Sequence, residues 1–407
     1  VKFHDGSDFT AADVAFSIAR VPSIPNNPNS YAPIIRSITA TEIVDPYTVR
    51  FTTGRANPAL PGQLTNIFIV SHRAAADASP ADFASGKAAI GTGPFRFASY
   101  ARGDNLVVDA QSRLLGHAAG LGQGHLPLHE QRRDPGRGAA RRRCRSDRLC
   151  AAVGHRPARA ERPGQRVQAR VRSGHVCLSE FRPATNPFLT DRAGKPLGIN
   201  PFKDARVRQA LSKAINRDNL VSRVMEGLAV PASQLIPEGF GGFNTALAVE
   251  PYDPDGARKL LAEAGFPDGF GVTLHCSSDR YVNDAKVCQA LGQMFSRTGI
   301  AAKVEALPSA IYFPKIAPPK SEFALMLLGL SSSSTGDAIH GLSSVLHSWD
   351  SQTGMGTQNW GVYANPALDR AIERAVATLD DATRETLLQD AMGQAMKDAA
   401  LLPLYTR

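Results

Sequence analysis

Val272-Thr-Leu-His-Cys276, Asp284-Ala-Lys-Val-Cys-Gln-Ala-Leu-Gly-Gln-Met-Phe-Ser-Arg297, Ala301-Ala-Lys-Val-Glu305 and Phe323-Ala-Leu-Met-Leu-Leu-Gly-Leu330 follow one another along the chain. The first and third are short apolar runs of strand length. The second carries an apolar stripe at helical spacing and ends near Gly299. A short helix near Ala310 separates the third from the fourth, whose strand spans Phe323 to Leu328. The apolar run to Leu330 is far shorter than the roughly 18 apolar residues a bilayer requires, so it reads as a buried strand. Strand–helix alternation of this kind predicts an α/β lobe around a mainly parallel sheet.

The same pattern extends in both directions. Upstream, Asn200-Pro-Phe-Lys-Asp204 caps a helix running through Val207, Leu211 and Ile215, and Arg217-Asp-Asn-Leu220 opens another. Pro231 to Phe243 is rich in Gly and Pro and is a candidate lobe boundary. A helix over Ala257 to Ala264 stops at Gly265, and downstream Pro366 to Ala377 and Asp381 to Lys397 give two more helices. Near the start, Thr10-Ala-Ala-Asp13 has the form of a capping box, with Val14, Ile18 and Val21 as the stripe behind it. Ile38 to Ile43 and Val49 to Thr53 flank Asp45-Pro-Tyr and predict a hairpin. Gly91-Thr-Gly-Pro-Phe95 turns into a further strand, and Arg102-Gly-Asp104 turns that strand back. Gly91-Thr-Gly93 lacks the Lys and helix of a phosphate loop and reads as a turn. Val1-Lys-Phe-His-Asp-Gly6 reads as the end of a strand entered from upstream, and Leu401 to Arg407 stops as an apolar strand begins. Both ends therefore read as cut.

The 407 residues are 43% hydrophobic and 20% charged, ordinary for a globular protein, and the net charge is +9. That charge sits in one place. Gln111 to Glu180 holds fifteen Arg, no Lys and five acids, a local charge of +10, so the other 337 residues are almost neutral. The stretch has no aromatic residue and little to bury. A basic nucleic-acid tail is one reading. A zinc site on Cys144, Cys150, His155, His175 and Cys177 is another, although C-x5-C and H-x-C are not the usual ligand spacings. The third is a shifted reading frame. Back-translating Gln111-Ser-Arg-Leu-Leu-Gly116 and moving one nucleotide permits N-P-D-Y-W-G. The same shift over Glu130 to Cys150 permits an amphipathic helix, a Gly stop and an apolar strand. The 111–180 stretch is therefore expected to lack a packed core and to be exposed or poorly ordered.

Lys2-Phe-His-Asp-Gly6, Phe9-Thr-Ala-Ala-Asp-Val14, Val44-Asp-Pro-Tyr-Thr-Val-Arg-Phe51 and Gly91-Thr-Gly-Pro-Phe95 resemble successive signatures of the family 5 solute-binding proteins, the peptide/nickel class of ABC-importer receptors. Asp204-Ala-Arg-Val-Arg-Gln-Ala-Leu-Ser-Lys-Ala-Ile-Asn-Arg217, Tyr252-Asp-Pro-Asp-Gly-Ala-Arg-Lys-Leu-Leu-Ala-Glu-Ala-Gly265 and Asn359-Trp-Gly-Val-Tyr-Ala-Asn-Pro-Ala-Leu-Asp369 continue the resemblance. It fails over 111–180, where the family carries an N-P-x-Y-W-G element that the shifted frame supplies. The resemblance implies an α/β, two-lobed fold of the type II periplasmic-binding-protein kind, with an extra subdomain in the first lobe. On that plan 1–110 is the first-lobe subdomain, truncated at its start, and 111–180 the aberrant segment. Residues 181–235 are first-lobe core and hinge, and 236–407 the second lobe. The implied function is the substrate-binding component of an ABC importer, capturing peptides or similar small solutes between its lobes for a membrane permease. The implied place is periplasmic or otherwise extracytoplasmic, and the implied state is a monomer, without cofactor, metal or nucleic acid.

A peptide's two termini need opposite charges, and its side chains need tolerant pockets. Asp337 follows the Phe323–Leu328 strand at the carboxyl edge, where open α/β sheets bind ligands, and the resemblance places a ligand-amine acid nearby. A loop-capping Asp is the alternative reading. Trp360 and Tyr363 suit stacking on a ligand, or simple core packing. Arg280 and Tyr281, on the loop after Val272–Cys276, suit a ligand carboxylate, with a solvated loop as the alternative for Arg280. Cys276 and Cys288 are open between a disulfide and two buried thiols. An α/β hydrolase and an inactive frame-damaged fragment are the competing functional readings. No G-x-S-x-G or H-E-x-x-H motif supports the hydrolase.

Overall fold

The computed structural model describes residues 1–24, 31–101, 105–111, 123–127, 173–182, 185–318, 320–331 and 336–407. The chain divides into two compact units: Val1–Gly54 with Leu64–Gln168, and Arg55–Gln63 with Ala169–Arg407.

In the first unit, helix α1 (Ala11–Arg20) begins at the expected capping box, where the Asp13 carboxylate accepts from the Thr10 amide at 2.8 Å and the Thr10 hydroxyl at 3.1 Å. Its other oxygen accepts from the His72 amide at 2.8 Å, so this buried acid joins α1 to a distant turn. Ile18 packs with Ile35 and Ile67, and Phe51 lies against them. Strands β1 (Ile38–Asp45) and β2 (Thr48–Thr53) form the expected hairpin. Strands β3 (Phe95–Ala101), β4 (Asn105–Ala110) and β5 (Gln123–Pro127) form an antiparallel sheet in that order. Arg102-Gly-Asp104, expected as the turn between β3 and β4, lies outside the described residues. The Gly91-Thr-Gly93 turn is pinned by His4. Its Nε2 lies 2.9 Å from the Gly93 carbonyl and its Nδ1 accepts from the Gly91 amide at 3.3 Å.

The second unit is built on a seven-stranded mixed sheet. Its strands are β6 (Ser173–Ser179), β7 (Leu189–Thr190), β8 (Val230–Pro231), β9 (Gly271–Ser277), β10 (Ala301–Leu307), β11 (Leu325–Ser331) and β12 (Leu402–Thr406). The order is β10-β9-β11-β6-β12-β8, with β7 paired to β9. Strand β9 is parallel to β10 and β11, as the alternation predicts, whereas β6 is antiparallel to both β11 and β12. Crossover helices α4 (Asp284–Ser296) and α5 (Ser309–Ile316) link β9 to β10 and β10 to β11.

Apolar residues alternate to two cores, one on each face. Cys177, Leu325 and Leu327 join the core formed with helices α2 (Ala205–Ala214), α3 (Pro254–Glu263) and α4. Val176, Leu178, Met326 and Leu328 join the other, with α5, α6 (Pro366–Ala377) and α7 (Asp381–Lys397). A sheet covered on both faces explains the unbroken apolar run at Phe323–Leu330. Pro231–Phe243, the candidate lobe boundary, has both flanks in this one compact unit. Its loop is tied to α7 by the Gly242 amide, which donates to Glu385 at 2.7 Å.

The structure corrects the reading of 111–180 at its downstream end. Residues 173–179 form an interior strand in which Val176 and Leu178 are 1% and 5% exposed. The local apolar pattern, rather than the basic composition upstream, governs that strand. Gln123–Pro127 likewise pairs along β4. Residues 112–122 and 128–172, with Cys144, Cys150 and His155, lie outside the described residues. Cys276 and Cys288 form a disulfide. Among the described residues no helix is long and apolar enough to cross a membrane.

Candidate functional site

The parallel strands β9, β10 and β11 end on the same edge of the large sheet. Strand β6 runs against β11 with His175 opposite Gly329, so its first residues lie on that edge. Strand β12 runs against β6 with Tyr405 opposite His175, so its last residues lie there too. The carboxyl edge of an open α/β sheet is where ligands are met, because the loops leaving it diverge and expose backbone groups.

Three rings gather at this edge. His175 stacks on Tyr405 with centroids 4.7 Å apart, and Tyr281 meets His175 edge-on at 5.0 Å. Tyr281 leaves β9 and lies over Gly329, with its hydroxyl 3.5 Å from the Gly329 carbonyl. A Cβ at position 329 would sit 2.6 Å from Tyr281 Cε1, so only glycine admits the ring there. The loop that carries Tyr281 is organised by Asp284, buried at the start of α4. One Asp284 oxygen accepts from Ser277 Oγ at 2.8 Å, the Arg280 amide at 3.0 Å and the Tyr281 amide at 3.1 Å.

The electrostatics follow from burial. Desolvation lowers the pKa of His175 to about 4, reinforced by the positive charge of Arg407, so the ring is neutral at pH 7. Desolvation likewise raises Tyr281 and Tyr405, which keep their protons. His175 Nδ1 and the Tyr405 hydroxyl are buried without a hydrogen-bond partner among the described residues. His175 and Tyr405 are 3% and 0% exposed, so they back the cluster from within the sheet, and the edge presents the partly exposed Tyr281 ring beside the exposed Arg280. Such a ring suits stacking on a solute. Among the described residues, no group of three or more His, Cys, Asp or Glu side chains is placed to hold a metal.

The five residues singled out in the sequence fall in different surroundings. Tyr281 is in the aromatic cluster, and Arg280 is beside it on the same loop. Asp337 is buried, accepts from the Ile339 amide at 3.0 Å and pairs with Arg384. That matches the loop-capping alternative and commits the carboxylate within the unit. Tyr363 is 4% exposed, donates to Asp398 at 2.5 Å and packs edge-on against Phe181, as a core residue does. Trp360 is half-buried against the second core. Ser332 to Thr335, part of the loop expected to carry the ligand acid, lie outside the described residues. The sequence reading missed His175, Tyr405 and Asp284. His175 was set aside with the basic stretch, and Tyr405 carried no motif. Asp284 was visible only as a helix start.

The chain matches the family described as bacterial extracellular solute-binding proteins, family 5 middle, over residues 1–115 and 163–353. The interval between the two matched stretches, 116–162, lies inside the compositionally odd stretch, and residues 354–407 lie beyond the match. A glutathione-binding protein GsiB from Pectobacterium atrosepticum is 30% identical over 416 residues, covering 100% of this chain and 75% of the relative. Its Escherichia coli K12 namesake is 28% identical over 419 residues, covering 99% and 75%. Among solved structures, DppA from Helicobacter pylori with peptide STSA superposes with a TM-score of 0.65 at 20% identity, covering 100% of this chain and 78% of that one. NikZ from Campylobacter jejuni with Ni(L-His) gives 0.68 at 21% identity, covering 100% and 79%. Identities this low speak for the shared fold alone.

Proposed function

We propose, for a chain that belongs to the bacterial extracellular solute-binding proteins of family 5, that the carboxyl edge of its large sheet forms one wall of a site for a short peptide or peptide-like solute. Family membership makes the protein a solute-binding component of an ABC importer and not an enzyme, which removes the hydrolase reading. The wall is Tyr281, backed by the buried His175 and Tyr405. The observation that carries the proposal is the partly exposed Tyr281 ring, laid over Gly329 at the carboxyl edge and held edge-on by His175. An extended peptide offers amide faces and side chains that can stack on such a ring. Relatives named for glutathione, itself a tripeptide, and a structural neighbour solved with STSA support that ligand class. We place the protein outside the cytoplasm, as a monomer that hands its solute to the membrane permease. The Cys276–Cys288 disulfide fits an oxidising compartment.

Calorimetric titration with glutathione and with tri- and tetrapeptides tests the ligand class. Tyr281→Ala is expected to weaken binding by about tenfold, the scale of one lost aromatic contact. Binding of none of these, with a non-peptide solute co-purifying instead, overturns the proposal.

A further inference from the structure

The loop that presents Tyr281 is closed at its base by a covalent bond. Cys276 is the penultimate residue of the buried strand β9, and Cys288 lies twelve residues on, one turn into α4; both are fully buried. Between them Asp284 gathers Ser277 and the amides of residues 280 and 281 on one carboxylate oxygen. Asn283 takes a left-handed conformation with φ of 58°, which a non-glycine residue holds only where its surroundings require it. Its side-chain amide donates to the Val224 carbonyl at 2.9 Å, fixing the loop to a second segment. Arg280 and Asp279, at the loop's tip, are exposed. An exposed tip is thus joined to a base that is covalently closed and gathered on the Asp284 carboxylate.

We infer that the Cys276–Cys288 disulfide and Asp284 together are positioning groups for Tyr281: they fix the 277–284 loop in the register that lays the ring over Gly329, and so set ligand affinity as well as stability. The inference rests on the proposed peptide site. A loop ordered before binding loses less freedom when the ligand arrives, and the saving is of the order of one or two immobilised side chains. Cys276→Ala/Cys288→Ala is therefore expected to weaken glutathione or tripeptide binding about two- to tenfold. Gly329→Ala leaves the clamp whole and drives a methyl into Tyr281. It is expected to weaken binding to a similar degree while leaving the loop closed.

Limited trypsin digestion of the whole protein provides a readout that needs no ligand. Arg280 is the cleavage point within the loop, and Arg192, on an exposed turn of the same unit, is the internal reference. The double cysteine variant and Asp284→Ala are expected to raise cleavage after Arg280 by roughly tenfold relative to Arg192, while Gly329→Ala leaves the ratio unchanged. A purely structural disulfide would instead lower the melting temperature and speed both sites alike, and an unchanged ratio in both clamp variants overturns the inference. So does a variant whose loop opens while its affinity stays at the wild-type value. Wild-type protein that binds no peptide, with the Arg280 ratio still rising on loss of the clamp, sinks the proposed ligand class and upholds the ordering of the loop.

Discussion

His175 and His275 are 3% and 0% exposed, and burial brings each pKa from 6.5 to about 4. The unfolded chain takes up protons on these rings near pH 6.5, while the native rings resist until about pH 4. Their contribution to stability is therefore whole above pH 6.5 and is lost as pH falls towards 4. A shift of this size corresponds to roughly 3 kcal/mol per ring. Urea unfolding at pH 7 and pH 5 should show the loss, and His275→Gln should flatten part of the slope; an unaltered slope would remove His275 from the account. Asp337 carries a second prediction. Replacing it with Ala strands the guanidinium of Arg384, 13% exposed and with no partner for its Nε among the described residues, and should cost about 3–5 kcal/mol in urea unfolding. At this scale the sequence was least legible. Polar residue types near the right edge could be picked out, but whether a carboxylate faces ligand or an internal guanidinium depends on residues far along the chain. Asp337 and Arg384 are 47 positions apart.

Elements were far more legible. The helices expected at Pro366–Ala377 and Asp381–Lys397 have those bounds in the structure, because Asn365 and Asp380 cap them through their side chains. Strands β9 and β10 run one or two residues beyond their expected ends, where pairing continues past the apolar run. Strand β6 was lost because residues 173–179 were judged with the arginines before them. What no local signal gives is how elements are joined, and Arg208 shows how much can rest on one side chain. From α2 it donates to the carbonyls of Phe202, Lys203, Asp398 and Ala399 and to the Asp398 carboxylate, while it is 4% exposed. These groups end a short helical turn and the long helix α7, so several orphan carbonyls share one cation. Arg208→Met should cost about 3 kcal/mol or more and Arg208→Lys nearly as much, since an ammonium cannot reach both ends. Equal stability of the Lys variant and the wild type in urea would show that charge alone matters there.

For the whole molecule the open matter is the basic stretch. Strands β1 to β4 and β6 to β11, with His175 and Tyr281, lie in residues that match the family; residues 116–162 interrupt that match, and 354–407, with β12 and Tyr405, lie beyond it. A chain whose remaining residues are almost neutral has no evident use for so dense a positive run, and its sequence pI of about 9.5 comes from that run. We propose that this stretch, from Gln111 through the unmatched interval, is read one nucleotide out of frame. The shifted translation permits aromatic, helical and strand residues that the present one lacks, so it should bury apolar surface where arginine cannot. A chain carrying the shifted translation over that stretch should unfold at higher urea, with a steeper transition from the added buried surface. It should also lose retention on heparin, whereas the present chain should bind heparin and elute with rising salt. If both chains unfold at the same urea concentration with the same steepness, the shifted residues add no core. The basic run must then be explained as it stands, through a polyanionic partner.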